Sequence, residues 1–305
     1  MEAVRFHEYG DVDVLAVEEI ETPTPGEGEV LLQVRAAGVN PIDWKALHGA
    51  LAGGEPLSAA RGLGVDVAGV VERAGPGVED LAPGDEVCGN PTTASFAEYA
   101  LSRPQMLVRK PPGLAWEVAG SMGVVVGTAY ATIAALNLGT GETLLVLGAS
   151  GAVGSLATQL AVARGVRVVG TAGPGKLEFV RELGATPVAY GEGLAERLRE
   201  AAAEGVDAVL DCSGHGEIVA AVEVKGNVDR VLTIASSQQA NDLGVAFHAG
   251  GGGEQTPQAI SETIPLIEEG RISFPIAGVF GLSRVPDALR ESEHGHAAGK
   301  LVIVP

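Results

Sequence analysis

The chain has 305 residues, 46% of them hydrophobic, which is enough for two domains each with its own core. A formal net charge of −19, from 39 acidic against 20 basic residues, opposes binding to a phosphate backbone and argues against nucleic-acid partners. No apolar run reaches the roughly 18 to 20 residues that would span a bilayer, and "MEAVRFHEYG" at the N-terminus has no export signature, so a cytoplasmic protein without a membrane partner is expected.

Residues 1 to about 115 read as short alternating strands, such as "EVLLQVRAAGV", "DVAGVVERAGPGV" and "DEVCGN", punctuated by Gly/Pro turns. Strands at this spacing suggest a compact barrel or sandwich. From Val118 the texture changes, and "VAGSMGVVVGTAYATIAALN" is apolar and long enough for a buried helix. Strands and helices then alternate: "TLLVLG", "AVGSLATQLAVARG", "VRVVG", "KLEFVRELG", "PVAY", "GLAERLREAAAEG", "VDAVLD" and "RVLTIA". Buried β-branched strands separated by helices predict a doubly wound parallel sheet. "TPQAISETIPLIEEG" reads as a helix, and "ISFPIAGVF", a helix over 284–292 and "KLVIV" read as a return to mixed structure. The expected division is residues 1–117 with 272–305 as one domain and 118–271 as the other.

Between the strand "TLLVLG" and the next helix lie Gly148, Ser150, Gly151, Ala152, Val153 and Gly154. Glycines there allow a tight turn, close approach of a pyrophosphate and tight helix–strand packing, while the free N–H groups of the first helical turn favour an anion. The spacing is not a strict G-x-G-x-x-G, since Ser150 stands at the second glycine position. The alternating units that follow nevertheless supply the context a dinucleotide site requires. An NAD site places an acid at the end of the next strand, but "VVGTAGPGKLEF" has none before Glu178. Thr171 and Lys176 could instead receive a 2′-phosphate, so NADP(H) is favoured; Lys176 also fits a solvated lysine in a first helical turn.

Several chemistries fail on their residues. None of Tyr9, Tyr99, Tyr130 and Tyr190 is followed four positions later by lysine, which excludes the Tyr-x-x-x-Lys pair of short-chain reductases. Ser150 lacks the last glycine of a G-x-S-x-G elbow. Cys88 and Cys212 are far apart, His294 and His296 are two positions apart, and no metal site is expected.

Taken together, "RAAGVNPIDWKALHG" (35–49), "LGVDVAGVVERAGPGV" (63–78), "PGDEVCG" (83–89), "VVGTAYATI" (125–133), "GASGAVG" (148–154), "RELGA" (181–185) and "GKLVIV" (299–304) resemble the medium-chain dehydrogenase/reductase superfamily. The closest likeness is its zinc-independent quinone oxidoreductase, or zeta-crystallin-like, branch. The resemblance implies an α/β protein: a GroES-like β-rich catalytic domain plus a Rossmann domain, assembled as a homodimer. Zinc alcohol dehydrogenases have a cysteine where this chain has Asn40, and Gly-His-Glu at Gly64-Val65-Asp66. Without such a Lewis acid, the implied activity is hydride transfer from NADPH to a quinone or α,β-unsaturated carbonyl, which spreads the developing charge.

The resemblance puts Asn40 and Asp43 near substrate and nicotinamide, and Thr128 at the nicotinamide end. Asn40-Pro41-Ile42-Asp43 also satisfies the requirements of a helix start with no function, and both readings can hold. It further puts Gly151 to Gly154 on the pyrophosphate, and Thr171, Lys176 and Tyr190 near the adenosine ribose and its phosphate. Ser213 and Ala235 follow strands on the cofactor side. Phe247 and "HAGGGG" line the nicotinamide end or form a merely flexible loop. No proton donor stands out, since Trp44 and Lys45 follow where some relatives carry tyrosine. An enoyl-thioester reductase is one alternative, although no basic cluster awaits a phosphopantetheine arm. An NADPH-binding crystallin-like protein without turnover is the other.

Overall fold

In the computed structural model, which describes residues 1–251, 253–295, 297 and 299–305, the chain forms two units. His296 and the third glycine of the 250–253 run lie outside the described residues. The first unit comprises Met1–Val124 with Gly253–Pro305, and the second Val125–Gly252.

The first unit is organised by the strand Val30–Gly38, whose residues are almost all buried. Its first half pairs antiparallel with both Val67–Ala74 and Tyr99–Ser102, while its last residues pair with Lys300–Val304. Glu86–Gly89, Leu107–Arg109 and Ile276–Gly281 complete a seven-stranded sheet. A three-stranded sheet of Ala16–Glu19, Glu2–Phe6 and Arg61–Gly62 accompanies it. Side chains from these strands, with Phe96 from the loop before Tyr99–Ser102, make one core around Phe6, Leu32, Val67, Val87, Phe96 and Ile303.

The second unit begins at β1 (Thr143–Leu147), buried at every position, as a strand covered on both faces must be. In order follow α1 (Ala152–Ala163), β2 (Arg167–Ala172), α2 (Leu177–Glu182), β3 (Thr186–Ala189) and α3 (Leu194–Ala201). Next come β4 (Ala208–Asp211), α4 (Ile218–Lys225), β5 (Val231–Thr233), α5 (Ser237–Leu243) and β6 (Ala246–Phe247). All pairings are parallel, and the sheet order is β3-β2-β1-β4-β5-β6. Strand order therefore reverses beside β1, and ligands of such sheets bind at the carboxyl ends of the strands flanking that reversal.

Two expectations are revised. The helix Thr256–Glu268 packs on Glu86–Gly89 and Leu107–Arg109 and so belongs to the first unit. Sequence boundaries drawn where alternation stops put it with the second, because an amphipathic helix does not encode which sheet its apolar face covers. The long helix expected from residue 118 is two, Trp116–Ala119 and Met122–Leu136. The chain breaks at Gly120, whose carbonyl accepts from Gly38 N at 2.7 Å.

Leu147 is wholly buried in the core of the second unit. Leu147→Ala is expected to cost about 2–5 kcal/mol through lost contacts and the cavity left behind. Hydrogen exchange of the β1 and β2 amides under increasing urea measures it, and unchanged protection would contradict this packing.

Candidate functional site

The turn after β1 shows why glycine is needed. Gly148 has φ +73, a left-handed conformation that other residues rarely adopt. Gly154, in the first turn of α1, lies so close that an added Cβ would be 2.3 Å from Gly148 O. Gly151 is different: its φ is −77, and an added Cβ would meet only Gly148 O at an ordinary 3.4 Å. Nothing inside the protein demands glycine there, so the missing side chain leaves room for something outside. Gly151 is the N-cap of α1 and makes no side-chain cap, leaving the first-turn N–H groups of Ala152, Val153 and Gly154 without intrahelical acceptors. Ser150 is nearly buried at the same turn. A small-residue turn of this kind, with free N–H groups at the positive end of a twelve-residue helix, fits a dinucleotide pyrophosphate.

The residues expected at the adenosine end are brought to the tip of β2 but not used alike. Thr171 is completely buried, and its Oγ1 accepts from Gly148 N at 3.0 Å, so its hydroxyl is committed inside the fold rather than presented to a phosphate. Lys176 stands half-buried at the start of α2, and burial holds its ammonium below the usual lysine range. The Tyr190 ring lies over Gly173, its N–H donates to Ala172 O at 3.2 Å, and it is 46% exposed. Tyr190 also lines a cavity of about 620 Å³ together with Gly191, His215 and Glu217.

At the ends of β4 and β5, a residue that sequence reading passed over does the organising. Asp211 is buried; its Oδ2 accepts from Thr233 Oγ1 at 2.7 Å, and its Oδ1 accepts from Ser213 N and Oγ at 3.0 Å each. Ser213 is thereby fixed against Gly148. Ala235 follows β5 with its N–H on Thr233 Oγ1 at 3.0 Å. Thr128 and the glycine loop, both expected at the nicotinamide end, do meet, since Thr128 Oγ1 accepts from Gly251 N at 2.6 Å. Phe247 instead stands on the edge strand β6, 44% exposed.

In the first unit Asn40 and Asp43 belong to a buried polar cluster. Asn40 caps the helix Pro41–Leu47, and Asp43 Oδ2 accepts from Asn40 N at 2.8 Å, closing one half of a capping box. Asp43 Oδ1 accepts from Gly64 N at 3.0 Å. The helix-start reading therefore holds, but the Asn40 side chain also reaches further. Its Nδ2 donates to Asp66 Oδ2 at 2.9 Å, and its Oδ1 accepts from Lys300 Nζ. Lys300 Nζ also donates to Val39 O at 2.8 Å and lies 3.6 Å from Asp66 Oδ2, while Asp66 Oδ1 accepts from Val124 N at 2.7 Å. Asp66 and Lys300 are almost wholly buried. Burial raises the Asp66 carboxyl and lowers the Lys300 ammonium, and each charge partly restores the other. Asp43 is pushed up to about 7, first by burial and then by Asp66, against the two N–H donors.

Sequence reading named Asp66 only as a departure from zinc enzymes and gave Lys300 no role. The signal available was scarcity: lysine occurs at only five positions (45, 110, 176, 225 and 300), and the last of them opens the apolar run Lys300–Val304. Among the described residues no three His, Cys, Asp or Glu side chains group as metal ligands would. The Cys88 thiol is buried and pushed up to about 12, far from thiolate reactivity.

Two families match this chain: the alcohol dehydrogenase GroES-like domain over residues 26–138 and the zinc-binding dehydrogenase over residues 152–247. A 2-methylene-furan-3-one reductase of Solanum lycopersicum is 34% identical, over 100% of this chain and 79% of that one. An NADPH-dependent alkenal/one oxidoreductase, chloroplastic, of Arabidopsis thaliana is also 34% identical, over 100% and 80%. Among solved structures, the quinone oxidoreductase from Coxiella burnetii superposes with a TM-score of 0.85 at 25% identity, over 100% of this chain and 99% of that one.

The buried pair yields a test. Lys300→Met leaves the Asp66 carboxylate without its cation and is expected to cost about 3–5 kcal/mol, most of which Asp66→Asn in the same chain should restore. Urea unfolding followed by Trp44 and Trp116, both in the first unit, measures it. Equal losses in the single and double variants would remove the ion pair as the cause.

Proposed function

The chain belongs to the medium-chain dehydrogenase/reductase family, and from that premise we propose that it is an NADPH-dependent reductase of quinones or α,β-unsaturated carbonyls. The observation that carries the reading is the turn at Gly148 to Gly154, whose open face at Gly151 suits a pyrophosphate. Lys176 and Tyr190, at the tip of β2, would hold the 2′-phosphate end, and β2 itself carries no acid to repel it. Bound NADPH would supply the hydride that an electron-poor conjugated acceptor takes up.

The acceptor class follows from what surrounds Asn40. Where zinc enzymes carry a cysteine and a Gly-His-Glu run around a metal that polarises an oxygen, this chain joins Asn40 and Asp66 around the Lys300 ammonium. We therefore read it as zinc-independent. A substrate that delocalises its own negative charge suits such a site better than a simple alcohol or aldehyde. Asn40 and Asp43 are assigned to the substrate side, and Thr128 with the 248–251 loop to the nicotinamide end. The Asp43 carboxyl, held by Asn40 N and Gly64 N, keeps the helix Pro41–Leu47 and the 64–66 segment in register.

No helix among the described residues is long and apolar enough to cross a membrane, and we place the protein in the cytoplasm. A homodimer is the proposed assembly, with β6 as the joining edge: both of its residues are exposed at the end of the sheet.

Purified protein should oxidise NADPH with an ortho-quinone, a para-quinone or an enone as acceptor, and keep doing so in the presence of chelator. Lys176→Ala should raise KM for NADPH about tenfold or more while leaving NADH nearly unaffected, the loss expected of one charged hydrogen bond. NADPH binding without turnover on any acceptor would point to a crystallin-like binder instead.

A further inference from the structure

Telling the two nicotinamide dinucleotides apart from sequence relies on an acid at the tip of the second strand, and β2 has none. The fold brings one there from another element. Glu217, in the loop between β4 and α4, lies with Oε2 3.3 Å from Thr171 Oγ1. Because Thr171 Oγ1 already accepts from Gly148 N, its single proton goes to Glu217, and the carboxyl is the acceptor.

The reach across β1 is short for a physical reason. Gly148 carries no side chain, and a Cβ there would meet Ser213 N at 3.2 Å, so the loop that starts at Cys212 lies directly over the turn. Glu217, half-exposed and held by the Thr171 hydroxyl, lines the cavity that Tyr190 also lines. A carboxylate can accept about four hydrogen bonds, which leaves capacity for sugar hydroxyls. Arg199, at the same cavity, is bonded to Glu223.

We propose that Glu217 is a specificity-determining residue of the nucleotide site, accepting from the adenosine ribose hydroxyls and opposing a 2′-phosphate. On this account Lys176 and Glu217 pull in opposite directions, and the chain binds NADH as well as NADPH with only a modest preference for the latter. The inference rests on the nucleotide-binding reading above and deepens it.

Fluorescence titration of the purified protein with NADPH and with NADH tests it in wild type, Glu217→Gln and Thr171→Val. Glu217→Gln keeps an oxygen for Thr171 but removes the charge. It is expected to raise the NADPH-to-NADH affinity ratio about tenfold, the scale of one unit charge facing a phosphate across several ångströms. Thr171→Val releases the carboxylate from its anchor and should move the ratio the same way, by roughly threefold. A ratio unchanged in both variants, including equal weakening of both nucleotides, overturns the proposal and leaves Glu217 a structural support. Failure of the wild type to bind either nucleotide overturns the underlying reading as well.

Discussion

At Gly148 three other segments of the chain close on a single residue. The oxygen of the same residue lies 2.3 Å from where Gly154 would carry a Cβ. Ser213 N lies 3.2 Å from where Gly148 would carry its own, and Thr171 Oγ1 takes the Gly148 N–H at 3.0 Å. A φ of +73 and a neighbouring backbone this close both favour glycine at 148. What the second unit offers a ligand follows from that congestion. The first turn of α1 is pressed against the end of β1 with its N–H groups unspent, the tip of β2 is tied to the turn through Thr171, and the loop after β4 is drawn across it.

The first unit is organised around a different constraint, the cost of placing charge where there is no water. Asp66 and Lys300 are tolerable in the interior because each lies within reach of the other, and because Asn40, Val39 and Val124 take up their remaining hydrogen-bonding capacity. The ammonium thereby ties the last strand of the chain to the residue that begins the helix Pro41–Leu47. Asn40 is consequently more than a helix cap, and its amide orientation is dictated by a cation from the far end of the sequence. Asp43 adds a further tie, to Gly64. Segments near residues 40, 65 and 300 are held together by four polar side chains, and none of the apolar core could substitute for the directionality they provide.

Both arrangements show chemistry assembled by proximity rather than by motif. An acid reaches the tip of β2 from the loop after β4, and a cation reaches Asn40 from the final strand. In each case the element that supplies the charged group is separated in sequence from the element it serves, yet adjacent in the sheet or one strand removed. The strand order β3-β2-β1-β4-β5-β6 makes the first juxtaposition possible, since only β1 stands between β2 and β4 and the residue that follows it, Gly148, has no side chain.

Local pattern was enough for much of this protein. Buried β-branched strands alternating with helices specify a doubly wound sheet because a strand covered on both faces can have no polar side, and Gly148, Gly151 and Gly154 mark a tight strand-to-helix turn because backbones there must pass without side chains between them. The start of the helix at Asn40-Pro41 was equally legible, being a matter of adjacent residues. Tertiary structure alone decided what depends on distant partners: that Thr171 faces inward, that Glu217 lies beside Thr171 and Asp211 joins Ser213 to Thr233, that Lys300 lies beside Asp66, and that the helix Thr256–Glu268 belongs with the first unit. A residue's type and neighbours state what it can bond. Which partner it meets is set by how strands are ordered and where a missing Cβ lets two backbones close, and neither is written within the span of a motif.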